Sequence, residues 1–161
     1  MYKHEPKEYL CPFCHFLAGN EDKYNNTEDI VYQTKLATAF VSPKWWINNP
    51  GHVLVVPNGH YENIYNIPDE HLAEVAKVTK KVAIAIRETY NCAGTSTRQH
   101  NEPAGNQDVW HLHVHVFPRH ESDDLYLNTN EHRFVNEAER KPYADKLKAY
   151  FAKQTDQLVL T

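Results

Sequence analysis

The 161-residue chain has no apolar run approaching the roughly 20 residues that span a bilayer. Its start, MYKHEPKEYLCPFC, lacks the basic-then-apolar pattern of a secretory signal, so the expectation is a cytoplasmic protein with no membrane partner. Positive charge is not in excess. The 17 Lys and Arg stand against 21 Asp and Glu, for a net charge of −4. That argues against binding a nucleic-acid backbone, but a nucleotide needs only a local cationic site. Cysteine is scarce, with three in all, which does not fit the disulfide framework of a small secreted domain. Internal repeats and low-complexity segments are missing as well. The chain does have enough hydrophobic residues, 41%, for one domain with a real core, and it has eleven histidines.

The order of elements points to an α+β domain with a mostly antiparallel sheet. After a polar opening, read as a surface loop carrying the pair Cys11 and Cys14, come two strand-like runs at 30–34 and 36–42, close enough for a hairpin. Residues 43–51 read as a loop with Pro43 and Pro50 as breakers. HVLVVP, 52–57, is a continuous apolar strand expected to be buried on both faces. Residues 69–90 form the clearest helix, with Leu72, Val75, Ala76, Val78, Val82, Ala83 and Ile86 at three- and four-residue spacing, Asp69 as N-cap and Asn91 near the stop. A strand at 94–100, a loop of turn formers and the histidine strand follow, the last expected to stop at Pro118. The tail holds a second amphipathic helix, broken or begun around Pro142.

VWHLHVHVFPR, 109–119, carries His111, His113 and His115 at every second position. On a strand the three imidazoles share one face, roughly 7 Å apart, and Leu112, Val114 and Val116 share the other. A half-exposed strand whose polar face merely happens to be imidazole is the bland reading. The sharper readings are a metal site or a catalytic site, because imidazole ligates metals when neutral and titrates near physiological pH.

His111-Leu-His113-Val-His115-Val116-Phe117 resembles the signature of the histidine triad (HIT) superfamily, His-φ-His-φ-His-φ-φ with φ apolar. NPGHVLVVPNGHYENI resembles that family's upstream segment, and NEPAGNQDVWH its phosphate loop, with Gln107 four residues before the first histidine. The three segments in this order are far more specific than the triad alone. The resemblance implies a five-stranded, mostly antiparallel sheet with two main helices. It covers a core at about 11–118, with 119–161 as a helical C-terminal extension of the same single domain. It further implies a homodimer and a nucleotide hydrolase or transferase acting on dinucleoside polyphosphates, such as diadenosine tetraphosphate, or on adenosine phosphoramidates.

By that resemblance, His113 is the nucleophile that forms a nucleotidyl-imidazole intermediate, splitting one difficult step into two. His115 donates to a phosphate oxygen, and His52 orients or polarises the site. Gln107, Gly105 and Asn101 cradle the phosphates, while Phe40, Val41 and Ser42 surround the nucleoside. Asn106 stands where a glycine is common, Ser42 where an aspartate is common, and the stretch before His52 is about two residues longer than usual. Trp45 and Trp46 either stack on a base or anchor a loop.

C-x2-C in such a chain reads as zinc or as thiol redox, and a thioredoxin-like site would want a βαβ setting that this stretch does not offer. The resemblance to zinc-holding members implies a structural zinc on Cys11, Cys14, His60 and His111. Cys92 has no visible partner. Two readings stand against a covalent nucleotide hydrolase. One is a metal-dependent small-barrel enzyme using the H-x-H strand as ligands, with Glu121 and His132 available. The other is a nucleotide-binding regulator with little turnover.

Overall fold

Alternation along the central strands decides how the sheet is covered. The computed structural model describes residues 2–127 and 131–159. In chain order its elements are α1 (Pro12–Leu17), β1 (Ile30–Gln33), β2 (Ala37–Val41), β3 (Lys44–Trp46), β4 (Val53–Pro57), α2 (Asp69–Thr89), β5 (Gly94–Gln99), β6 (Val114–Arg119), β7 (His132–Phe134) and α3 (Glu137–Val159). Five strands form an antiparallel sheet in the order β1-β2-β4-β6-β5, and β3 and β7 form a separate two-stranded ribbon.

Ala37, Ala39 and Val41 of β2, Val53 and Val55 of β4, and Leu112, Val114 and Val116 all point into one core. The helices α2 and α3 cover it, through Val75, Val78, Val82, Ala85, Ile86, Leu147 and Phe151. The intervening residues Phe40, Leu54 and Val56 pack on the opposite face against Phe13 and Phe16 of α1. Both faces of β2 and β4 are therefore buried, which explains their unbroken apolar runs.

Several local expectations are corrected. The Cys pair lies at a helix rather than in a loop: Cys11 is the N-cap of α1, Pro12 opens it, and Phe13 and Phe16 bury its inner side. The stretch 43–51 contains β3, whose partner β7 lies far along the chain. Pro68, not Asp69, caps α2, with no side-chain bond; Asp69 falls in the first turn, where its charge suits the helix dipole. Asn91 does follow the helix end, in the left-handed region at φ 53°. The histidine strand begins only at Val114 and runs past Pro118, which pairs with Thr95. β4 has already ended opposite Val116, and the Pro118 carbonyl accepts from Asn49 Nδ2 at 2.8 Å, so proline sits where the ladder is one-sided. α3 starts five residues before Pro142, because Asn136 and Glu139 bond reciprocally as a capping box.

The ribbon is tied to the rest by Arg140 of α3. Its Nε and Nη2 each lie 2.9 Å from Asp29 Oδ2, and its Nη1 donates to the Val135 carbonyl at 2.6 Å. Both charged side chains are buried.

Candidate active site

The turn before β6 places the middle imidazole. The N–H of Leu112 donates to the Tyr61 carbonyl at 2.6 Å, and that of His111 to Val109 at 2.8 Å. His113 is buried beside the ring of Phe13, and its Nδ1 lies 2.7 Å from the His111 carbonyl. A carbonyl only accepts, so Nδ1 carries the proton and Nε2 keeps its lone pair. Burial pushes the His113 pKa down, favouring the neutral ring.

His115 lies next along the same face, ring centroids 5.0 Å from His113, with Nδ1 3.3 Å from His52 Nε2. His52 is fully buried just before β4 and stacks on Phe117 at 4.6 Å. Burial first, then the Arg98 charge, takes its pKa down to about 3; burial also takes His115 well below its usual range. His113 and His115 open into a cavity of about 590 Å³. One part of its wall is apolar, with Phe13, Leu54 and Val109; another is cationic, with Lys44 and Arg98. A wider groove of about 1040 Å³ along residues 3–15 contains neither His113 nor His115.

The remaining residues singled out from sequence fall in different places. Ser42 lines the cavity, its hydroxyl donating to the Lys44 carbonyl at 3.2 Å. Phe40 and Val41 are buried on opposite faces of the sheet, outside the cavity wall. Gln107 is buried in loop backbone: its Oε1 accepts from Glu102 N at 2.8 Å, and its Nε2 donates to Glu62 and Val109 carbonyls at 2.5 and 3.0 Å. Asn101 turns away, accepting from Ile64 N at 2.9 Å. The Gly105 carbonyl accepts from His100 Nδ1 at 2.6 Å.

Asn106 adopts the left-handed conformation, φ 67° and ψ 26°, which asparagine tolerates better than most residues. That is why it can stand in a glycine position.

Sequence reasoning missed His100, Arg98, Lys44 and Asp108, all on the cavity wall, which Trp46, singled out as a base-stacking or loop-anchoring residue, also lines. Arg98 lies on β5 and pairs across the ladder with His115, and His100 follows just past the end of that strand. The period-2 rule applied to β5 was the available signal. Glu121 is exposed, and His132 reaches the cavity from β7.

A second cluster lies on the other side of His113. Cys11 Sγ, Cys14 Sγ, His60 Nδ1 and His111 Nδ1 all lie within 4.8 Å of one another, the one such group among the described residues. Cys14 is 3.2 Å from His60 and 3.6 Å from His111, and Cys11 is 3.4 Å from His111. Tetrahedral zinc bonds imply ligand separations of roughly 3.3–3.8 Å. The outer nitrogens fit as well. His111 Nε2 donates to the Pro57 carbonyl at 3.0 Å, and His60 Nε2 lies 2.9 Å from Glu5 Oε2, leaving both Nδ1 lone pairs facing the thiols. Burial, with Cys11 alongside, pushes the Cys14 thiol up to about 12, a pairing of thiols that a divalent cation would relieve. The donor set fits zinc.

The HIT domain family matches residues 23–122. The chain is 32% identical over 114 residues to the Bacillus subtilis protein hit, covering 71% of this chain and 74% of that one. It is 28% identical over 110 residues to an adenosine 5'-monophosphoramidase of Saccharomyces cerevisiae, 68% of this chain and 62% of the yeast one. Among solved structures, a zinc-bound histidine triad family protein from Mycobacterium smegmatis superposes with a TM-score of 0.74 at 25% identity, over 92% of this chain and 97% of its own. No helix among the described residues is long and apolar enough to cross a membrane.

Proposed function

The chain belongs to the HIT domain family, and from that premise we propose that it is a nucleotide hydrolase working through a covalent nucleotidyl-His113 intermediate. Its substrates in this reading carry a phosphoanhydride or phosphoramidate at the α-phosphate, as dinucleoside polyphosphates and adenosine phosphoramidates do. The observation that carries the reading is the hydrogen bond from His113 Nδ1 to the His111 carbonyl at 2.7 Å. It fixes the tautomer in which Nε2 is a nucleophile, in a ring that burial favours as neutral.

His113 Nε2 attacks the α-phosphorus. A P–N bond forms, and the bond to the leaving group breaks, its electron pair departing with that group, which picks up a proton. Water then attacks phosphorus, a P–O bond forms, the His113 P–N bond breaks, and the nucleoside monophosphate is released. Lys44 and Arg98 offset charge on the phosphate oxygens, and His115 with His52 supplies the neutral donor pair beside them. Gln107 is a positioning residue here: it fastens the loop that His100 and Asn106 belong to. Cys11, Cys14, His60 and His111 would hold a structural zinc and, through it, would tie α1 to the segments after β4 and before β6. The reading includes a homodimer, which light scattering checks.

The test is intact-protein mass spectrometry after rapid quenching with diadenosine tetraphosphate or adenosine phosphoramidate. Wild type should gain one acid-labile adenylyl group and His113→Ala none. An adduct that persists in His113→Ala, or turnover by wild type with no adduct, would refute the nucleophile.

A further inference from the structure

The ribbon β3–β7 adds a wall to the cavity, and half of it comes from beyond residues 23–122 matched by the family. Its cross-strand pairs are Lys44 with Phe134 and Trp46 with His132, and all four side chains line the cavity. Trp45, between them, points the other way into the core, its ring 5.1 Å from Tyr143. The pleat of the ribbon thus sorts residues by face, and the face turned to the cavity is aromatic and cationic.

Phe134 is the anomaly. Five of the six phenylalanines are buried, whereas Phe134 is 53% exposed, at the rim of the cavity. Tyr24 meets it there, ring centroids 4.4 Å apart, from the polar segment before β1. Two aromatic rings left at a cavity mouth gain from covering by another flat apolar surface. Across the same cavity lie Phe13 and Leu54, with Phe13 5.4 Å from the His113 ring. The cationic groups Lys44 and Arg98 belong with the phosphate, so the rim pair is left for the other end of a nucleotide.

We infer that Phe134, with Tyr24, stacks on the base of the bound nucleotide, and that the ribbon is the element of this enzyme that reads it. The inference rests on the nucleotide reading above and deepens it. It assigns base recognition to a strand outside the family-matched segment. It also gives the long connection between β2 and β4 a purpose, since that connection supplies the partner strand.

The experiment compares adenosine 5'-monophosphate with ribose 5-phosphate, which keeps sugar and phosphate and lacks the base. Affinities are measured by calorimetry on wild type, Phe134→Ala, Phe134→Trp and Arg98→Ala. Base–aromatic stacking of ordinary strength predicts that Phe134→Ala narrows the ratio of the two affinities about tenfold. Phe134→Trp should keep the ratio wide, and Arg98→Ala should weaken both ligands alike. A general loss of structure would lower both affinities together, so the ratio separates stacking from misfolding, and the tryptophan variant supplies a folded control. If wild type discriminates and Phe134→Ala keeps the full ratio, the ribbon assignment fails while the nucleotide reading stands. The assignment fails in the same way if Phe134→Ala instead abolishes self-association. Wild type that binds neither ligand overturns both.

Discussion

Arg140→Ala should be among the most damaging single substitutions far from the histidines. The guanidinium is buried at 2% exposure, makes two 2.9 Å contacts with Asp29 Oδ2 and holds the Val135 carbonyl at 2.6 Å. Truncation leaves the buried Asp29 carboxylate without its counter-charge, a loss of about 3–5 kcal/mol. For a chain of this length that lowers the thermal midpoint by about 6–20 °C. The pH dependence offers a second, independent check. Burial already pushes the Asp29 pKa above the ordinary carboxylate range, against the opposing pull of Arg140. Where the folded pKa exceeds the unfolded one, the native state holds the proton more tightly, and stability falls as pH rises through the folded pKa. Removing Arg140 removes the opposing pull and enlarges that shift. The deficit should therefore be largest near neutral pH and shrink as the medium is acidified and Asp29 takes a proton. Urea unfolding followed by circular dichroism at neutral and mildly acidic pH measures this. Asp29→Asn and the double variant close a thermodynamic cycle. A deficit below about 1 kcal/mol, or one of equal size at both pH values, would show that water reaches the pair and would refute the buried-charge account.

Two other outcomes follow from local geometry. Gly51 has φ +78°, and a β-carbon there would run into the ring of Tyr143, so Gly51→Ala should cost about 2–4 kcal/mol in denaturant unfolding; because it immediately precedes His52, turnover should fall too. Glu5→Gln removes the carboxylate that lies 2.9 Å from His60 Nε2, and zinc affinity measured against a chromophoric chelator should drop about 10- to 100-fold; an unchanged affinity would mean that Glu5 does not orient His60.

The strands, the long helix and the antiparallel order were legible because their signals are local and periodic. Leu112, Val114 and Val116 announce a core face within a few residues, and α2 repeats its apolar positions over five turns. What escaped depends on events far apart in the chain. The three-residue strands Lys44–Trp46 and His132–Phe134 are too short to carry a pattern, and each is a strand only because the other is there. Without that pairing, 43–51 reads as a loop and Phe134 has no address. At the end of β5 the polar residues Arg98, Gln99, His100 and Asn101 are consecutive, and only the folded chain says that Arg98, paired with His115, and His100, just past the strand, reach the cavity while Asn101 bonds to Ile64. Phe40 and Val41 look equally apt for a nucleoside until α1 and α2 claim their two faces. Composition says that Gln107 is polar; it does not say that loop backbone takes both ends of its amide.

The alternation leading into β6 also acts as a check on assembly. A slip of one residue against β4 would send every side chain to the other face. Three imidazoles would then enter the apolar core, and Leu112, Val114 and Val116 would face the thiols and the cavity. Such a molecule would lose the proposed metal ligand and the proposed nucleophile together, because His111 and His113 ride on the same short segment. On that reading misregistered chains would be inert rather than partly active, and without the zinc cross-link to trap them they would be free to unfold and pair again.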